Sequence, residues 1–534
     1  MNNKTRIQVW LPLLFALTMV LGMWVGFSLS NSMGGGNNSG IFSRPSTGTP
    51  LQEILDLIHK RYVDTVNEPA ITDSAIQGVL GQLDPHSAYI PASELAEVNE
   101  DLDGSFQGIG IEFSVLNDTL NVVSVVPNGP SEKAGLLVGD QFLKVGDSVI
   151  VGKKLSNDGV RKMLRGPEGS SVKVALLRNG QSKQVTITRG QVPLNSLDAS
   201  YMLDPKTGYI KLNKFSATTY QEFMEALDTL KNRGMQQLIL DLRDNGGGYM
   251  EQAVKIADEF LDDNKLIVYT QGINSPKKEY HAEHPGLFEK GKLVVLIDEG
   301  TASASEILTG SLQDWDRATI IGRRSFGKGL VQEQYSLSDG SALRLTIARY
   351  YTPLGRCIQK SYAKGIKVYE DDIINRIHDG ELLNADSNKV AKGKPYITPL
   401  GKKVYGGGGI MPDIFVPFDT TEYSPVITRL YRRNTLNDFV YRYYVTNRAA
   451  LSAFKDPQSF ARGFQPDEAF WRALTAFSTR DSIQLQYIPI KDKDMLLSRT
   501  KSLLAHQIWH MEGFYVVFNQ DDPMIHKAEE VFGK

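Results

Sequence analysis

The chain's hydrophobic pattern changes period several times, and each change marks a different architecture. A run of 21 largely apolar positions, "VWLPLLFALTMVLGMWVGFSL" (9–29), comes first and is long enough at helical rise to cross the hydrocarbon layer. No charged residue falls between 7 and 43, and the glycine-rich "SMGGGNNSG" (32–40) reads as a flexible tether. Between 50 and 102, "LQEILDLIHKRYV" and "DSAIQGVLGQL" carry apolar residues at helical spacing until "DPHS" ends the pattern, which predicts two short helices. From 103 to 190 short β-rich runs such as "GIGIEF", "LNVVSVV" and "SVKVALLR" alternate with Gly, Pro, Asn and Asp turns, and one helix near 157–164 interrupts them. Over 191–419 strands such as "QLILDLR" and "KLVVLI" alternate with amphipathic helices, the pattern of an open α/β domain with mostly parallel central strands. "KLIVYTQG" and "ALRLTIARYYT" read as further strands of it, and 360–405 as a charged insertion. Beyond 420 the chain turns helix-rich, and its aromatic, amphipathic helices suit dimerisation or covering of the core.

Composition narrows the picture. At 534 residues the chain is long for one domain. With 41% hydrophobic residues, 22% charged residues and a net charge of -2, it is globular and offers no electrostatic case for nucleic acid. One cysteine, Cys357, rules out an internal disulfide and a thiolate metal cluster. Lys4 and Arg6 precede the apolar run, so the positive-inside tendency sends everything after residue 30 across the membrane. A cleaved signal peptide, with "SLS" (28–30) at the cleavage site, is the alternative.

Two strand ends in the α/β region carry candidate chemistry. After "LILDLRDN", the amides of Gly246, Gly247 and Gly248 are unencumbered at a helix N-terminus, where N–H groups and the dipole favour an anion. That is what an oxyanion hole requires. After "KLVVLI", "DEGTASASEIL" offers three hydroxyls, Thr301, Ser303 and Ser305, and the residue following a nucleophile could supply a second amide. No histidine lies in that stretch. Downstream, Lys328 in "RRSFGKGLVQEQY" is flanked by glycines and apolar residues. On an open surface only about one such lysine in 2,500 would be neutral at pH 7; burial worth about 4.6 kcal/mol would make it half neutral and a usable base. His506 and His510 have zinc-helix spacing but lack the glutamate of H-E-x-x-H, so helix packing is the better reading. His281 and His284 could serve a histidine-based triad but sit in a polar, loop-like stretch, and Cys357 reads as a buried, inert thiol.

In order, "LDPHSAYI", "GSFQGIGIEF", "VVPNGPSEKAGLLVGDQFLKV", "RGPEGSSV", "LDLRDNGGG", "DEGTASASEI", "GRRSFGKGLVQ" and "LTIARYYTPLGRCIQ" resemble the C-terminal processing peptidases, or tail-specific proteases, over roughly residues 50–417. The resemblance implies a crotonase-like α/β peptidase core with an inserted PDZ β-domain. It implies a serine-lysine dyad in which the serine precedes the lysine by 25 positions and a glutamine follows the lysine by four. Ser303 would then be the nucleophile, Lys328 its base and Gln332 the residue orienting the lysine. Oxyanion donors would be the amides of Ala304 and of Gly247 or Gly248; the family commonly has proline where this chain has Gly246. Asp314, three turns on from Ser303, fits a structural role at the helix end better than a catalytic one.

In the β-domain, amides around Gly108, Ile109 and Gly110 could receive a terminal carboxylate while the following strand pairs with the peptide, with Ile109 and Ile111 flooring the pocket. Arg165 would be an exposed residue or a signal of occupancy toward the core. The expected protein is a membrane-anchored serine endopeptidase facing the periplasm, or secreted if the leader is cleaved. It would bind protein or peptide substrates through their C-termini and need no metal or cofactor, with a homo-oligomer left open. The rivals are an inactive PDZ adaptor on a peptidase fold and an acyl-CoA enzyme sharing the sheet.

Overall fold

The computed structural model describes residues 16–25, 49–116, 118–153, 156–262, 264–384, 395–419 and 424–533. The chain divides into two units, Met1–Ala75 and Ile76–Lys534. In the first, residues 16–25 are helical and exposed, and the helix Pro50–Arg61 buries none of its residues. The expected membrane segment 9–29 and the linker 31–49 lie largely outside the described residues. Among those described, no helix is long and apolar enough to cross a membrane.

The second unit is built on a six-stranded sheet. Its strands run in the order Leu197–Met202, Thr207–Leu212, Gln237–Asp241, Lys292–Ile297, Thr319–Gly322 and Ile414–Phe415. The first is antiparallel to its neighbour and all later pairings are parallel. Because successive side chains on a strand point to opposite faces, the apolar runs serve two cores at once. Leu238, Leu240, Val295 and Ile297 join the core under the helices Thr219–Asn232, Met250–Asp258 and Ala304–Asp314. Ile239, Val294, Leu296 and Ile321 face the other way, into a core filled by the C-terminal helices, among them Thr435–Leu451, Ile490–Phe518 and Pro523–Phe532. The helix-rich C-terminus therefore covers the second face of the sheet, one of the two roles its amphipathic helices suited.

Two expectations change. "KLIVYTQG" and "ALRLTIARYYT" do not extend the parallel sheet; Leu266–Gln271 and Ala342–Tyr351 pair antiparallel in a separate sheet with Leu330–Ser336, Lys278–His281 and Ala88–Ile90. Periodicity reports a strand's two faces and says nothing about which neighbour takes its edges. Second, a third helix, Ala92–Asp103, follows the expected pair, closed by Gly104 in the left-handed region at φ 75°. Its apolar Leu95, Val98 and Leu102 stand at helical spacing on an otherwise charged segment.

The β-domain has its own core around Val122, Phe142, Val160, Leu176 and Ile187. Its sheet starts at Ile111–Leu116, an edge strand, and the helix Asn157–Leu164 stands where expected, capped by Ser156 accepting from the Gly159 amide. Tyr441 Oη donates to Asn121 (3.4 Å), and His510 Nδ1 lies 3.4 Å from Ser124 Oγ, so the domain touches the C-terminal helices.

Candidate active site

The three hydroxyls of "TASAS" have different fates. Thr301 Oγ1 donates to the Leu242 carbonyl (2.9 Å) and Ser305 Oγ to the Asn245 carbonyl (2.9 Å), and both residues are fully buried. Ser303 alone lines a cavity of about 510 Å³. It sits between the strand Lys292–Ile297 and the helix Ala304–Asp314 at φ 55°, ψ −116°, a conformation costing a residue with a Cβ on the order of 1–3 kcal/mol. Such a turn lifts the hydroxyl out of the chain and leaves the helix's first amides facing the same space.

The glycine turn closes on it. A Cβ built on Gly247 (φ 95°) would lie 2.7 Å from the Ala302 carbonyl oxygen and from Ser303 Cβ, and one on Gly248 (φ 144°) 2.1 Å from the Phe215 carbonyl oxygen. Only glycine permits this approach. Gly247 donates its amide to Asn245 Oδ1 (2.9 Å), whereas among the described residues the Gly248 and Ala304 amides have no partner. Those two are the donors left for an oxyanion.

Lys328 reaches the cavity from the second sheet, just before the strand Leu330–Ser336. Its side chain is partly buried, and that burial, with the Arg344 guanidinium, holds its pKa below the usual lysine value. Its amine makes no hydrogen bond with Ser303, and Gln332, also in the cavity, donates to Thr346 Oγ1 instead (3.3 Å). Catalytic hydrogen bonds are often open without substrate.

Two residues not singled out from sequence lock these segments together. Glu306, fully buried, accepts from the backbone amides of Ser303 (2.9 Å), Lys328 (2.9 Å) and Gly327 (2.8 Å) and from Ser325 Oγ (2.5 Å). Burial pushes its pKa up to about 7 against these four donors. Tyr350 Oη lies 2.5 Å from the Lys328 carbonyl oxygen and 3.2 Å from that of Ser303. Carboxylate and phenol thus hold the same two residues by opposite ends of their peptide groups. "S-x-x-E" could have been read as a capping signature, but nothing in the sequence tells that the glutamate also holds a loop 22 residues on. A third unforeseen residue, His86, lines the cavity; burial and the Lys328 charge push its pKa down to about 4, and Nε2 lies 2.8 Å from Tyr369 Oη.

The remaining candidates lie elsewhere. His281 and His284 are absent from the cavity lining and contact Glu279, Asn264 and Asp258. Trp509 and His510 break the C-terminal helix with non-helical angles, so His506 and His510 do not share a helical face. Asp314 pairs with buried Arg356 (2.5 Å), as a structural role requires, and Cys357 is a partly exposed free thiol. Among the described residues no cluster of three His, Cys, Asp or Glu side chains could hold a metal. A larger cavity, about 1080 Å³, lies between the sheet and the C-terminal helices; Lys211, Asp241, Arg243 and Asp522 are among its lining residues, and it contains none of Ser303, Lys328 and Gln332.

In the β-domain the carbonyls of Ile109 and Gly110 accept from the Ser131 and Val126 amides, while the Ile109 and Gly110 amides have no partner among the described residues. Ile109 is buried and Ile111 packs partly against the same core. Gly108 ends the preceding strand, and a Cβ on it would lie 2.8 Å from the Phe106 ring. Arg165 is engaged, donating to Glu100 (2.7 Å) with its guanidinium 4.9 Å from the centre of that ring.

Residues 206–369 match peptidase family S41, 107–188 match the PDZ domain, and 426–510 match a family of unknown function, DUF8443. The carboxy-terminal-processing protease of Bartonella bacilliformis is 34% identical over 328 residues, 61% of this chain and 74% of the relative. The chain belongs to the carboxy-terminal processing proteases of peptidase family S41. It is accordingly a serine-type peptidase carrying a PDZ domain. Carboxy-terminal processing protease CtpA of Bacillus subtilis is likewise 34% identical, over 62% of this chain and 71% of that protein. A solved structure described as a photosystem II D1 C-terminal processing protease aligns at 28% identity over 69% of this chain and 87% of that one, with a TM-score of 0.35, so the assignment rests on the sequence matches.

Proposed function

We propose that this protease cleaves peptide bonds by a serine-lysine mechanism and selects substrates by their free C-termini. The observation that carries the reading is the convergence of Ser303, Lys328 and Gln332 on one cavity from two different sheets, beside the unpartnered Ala304 and Gly248 amides. Ser303 Oγ attacks the scissile carbonyl carbon, and the neutral Lys328 amine accepts its proton. The two amides hold the oxyanion, and the lysine returns the proton to the departing amine. Water then hydrolyses the acyl-enzyme by the same route. Gln332 orients the lysine once it leaves Thr346. The same reading takes the core as crotonase-like, supported by oxyanion donors drawn from the ends of adjacent parallel strands.

Substrate selection follows from the PDZ domain. Its unpartnered Ile109 and Gly110 amides can take a carboxylate, and the edge strand Ile111–Leu116 can accept the peptide as an added strand. The charge-free apolar run 9–29 with Lys4 and Arg6 before it supports a tethered enzyme acting outside the cytoplasm. Ser303→Ala should abolish hydrolysis while Ser305→Ala keeps at least roughly a tenth of it, since only one hydroxyl can be the nucleophile. Equal losses would refute the assignment. C-terminal amidation of a peptide should weaken its binding to the PDZ domain, and unchanged affinity would refute the tail-reading role.

A further inference from the structure

We propose that Asp522, in the C-terminal extension, is a positioning residue for the oxyanion turn, which makes the helices on the far face of the sheet a working part of the peptidase. The inference rests on the serine-lysine reading above and assigns a role to a region that reading leaves idle.

The connection is a continuous run of hydrogen bonds. Asp522 precedes the helix Pro523–Phe532, and its Oδ1 accepts from the Met524 (2.8 Å) and Ile525 (3.4 Å) amides. Its other oxygen, Oδ2, accepts from Arg243 Nη1 at 2.6 Å. Arg243 turns its remaining donors onto Asp241, Nε at 3.0 Å to both carboxylate oxygens and Nη2 at 2.6 Å. Asp241 is fully buried; burial alone would raise its pKa, but the charges of Arg243 and Lys211 hold it below the usual carboxylate range. Lys211 also donates to the Arg243 carbonyl, so backbone and side chain of this arginine are both fixed.

The very next residues form the catalytic turn. Asp244 has φ 56°, and its amide is held by Asp298 Oδ1 (2.9 Å). Asn245 takes the Gly247 amide on its side chain and the Ala302 amide (3.0 Å) and Ser305 hydroxyl on its carbonyl. Arg243 is thus the last anchored side chain before the "DNGGG" turn, whose Gly248 amide has no partner among the described residues. A left-handed residue and two close-approach glycines make this turn costly to hold, so it depends on the bonds that Asn245, Asp298 and Arg243 make around it. The extension supplies one of the two carboxylates that aim the arginine. Both carboxylates are buried, Asp522 being 4% exposed, in the wall of the 1080 Å³ cavity.

Helix capping and arginine positioning are separable in the full-length protein. Asp522→Asn keeps an oxygen for the Met524 amide and a good N-cap but removes the charge facing Arg243. Met524→Ala loosens the same helix from its core without touching the arginine. Asp522→Asn should lower kcat on an unstructured peptide roughly tenfold or more with KM little changed, and should weaken binding of a peptide aldehyde, whose adduct with Ser303 places an oxyanion in the turn, by a similar factor. Met524→Ala should lower the melting temperature while kcat and aldehyde affinity stay near wild type. Wild-type kcat and aldehyde affinity in Asp522→Asn would overturn the proposal. So would equal kcat losses in the two variants at matched melting temperature, which would make the extension a prop for stability alone. Ser303→Ala assayed alongside keeps the failures apart: activity retained there refutes the serine-lysine reading itself, whereas an inactive Ser303→Ala with a fully active Asp522→Asn refutes only the role of Asp522.

Discussion

The Ser303 side of the cavity, proposed to supply the nucleophile, and the Lys328 side, proposed to supply the base, are held very differently. Around Ser303 almost every polar group is committed: Thr301 and Ser305 bond the carbonyls of Leu242 and Asn245, Asn245 holds the Gly247 amide, and the exceptions are the two amides an oxyanion needs. Around Lys328 the backbone is fixed by Glu306 and Tyr350, but the amine is unbonded to Ser303 and Gln332 is turned to Thr346. In the proposed mechanism the electrostatic part of the reaction is therefore preorganised and the proton-transfer part is not. This division makes physical sense, because dipoles aimed at developing charge help only if they need no reorganisation. A neutral lysine, by contrast, exists only once burial has made its charge costly.

The largest expected effect tests the base side. Lys328→Arg should be as inactive as Lys328→Ala, a loss of roughly 10,000-fold or more in kcat, because a guanidinium cannot accept a proton at working pH. Substantial turnover by the arginine variant would mean that charge, rather than basicity, is what the position supplies, and His86 would become the base to test. The nucleophile side should answer to geometry alone. Gly247→Ala should cost roughly 100-fold in kcat, since its Cβ would collide with Ala302 and Ser303, while Gly246→Ala, whose Cβ meets nothing within 4 Å, should stay near wild type. Similar kinetics for the two would show that the turn is not preorganised.

The smallest effect is a displacement along the pH axis. If Lys328 is the base, as proposed, it works only when neutral, and kcat/KM should rise with pH through its lowered pKa. Arg344→Gln removes a positive neighbour that disfavours the ammonium, which raises that pKa and moves the rising limb to higher pH. Its plateau should change little. A limb that stays in place would assign the lowered pKa to burial alone.

The comparison also separates what could be read from residues from what could not. The parallel strands, the nucleophile helix and the glycine turn were legible because each is a local pattern: an apolar run, small residues, then a helical period. Reading Thr301, Ser303 and Ser305 apart was not possible on that basis, since each hydroxyl adjoins small residues and nothing local says which one faces a cavity. The third helix, Ala92–Asp103, has the same kind of local signal, Leu95, Val98 and Leu102 at helical spacing, and lies outside the two-helix expectation only because that expectation ends the pattern at "DPHS".

The sequence by itself determined the local chemistry: a hydroxyl-bearing strand end, a lysine between glycines, and eight ordered motifs that name a family. Tertiary structure alone decided which groups meet. Leu266–Gln271 and Ala342–Tyr351 left the parallel sheet for a second one, and that pairing carries Lys328 to Ser303. Glu306 became a clamp rather than a simple helix cap, and the C-terminal helices came to cover a sheet face and reach Arg243. The reason is the same in each case. Side-chain period fixes which face of a strand or helix is apolar, but the partner that buries that face is chosen by long-range packing, to which local sequence contributes only complementarity.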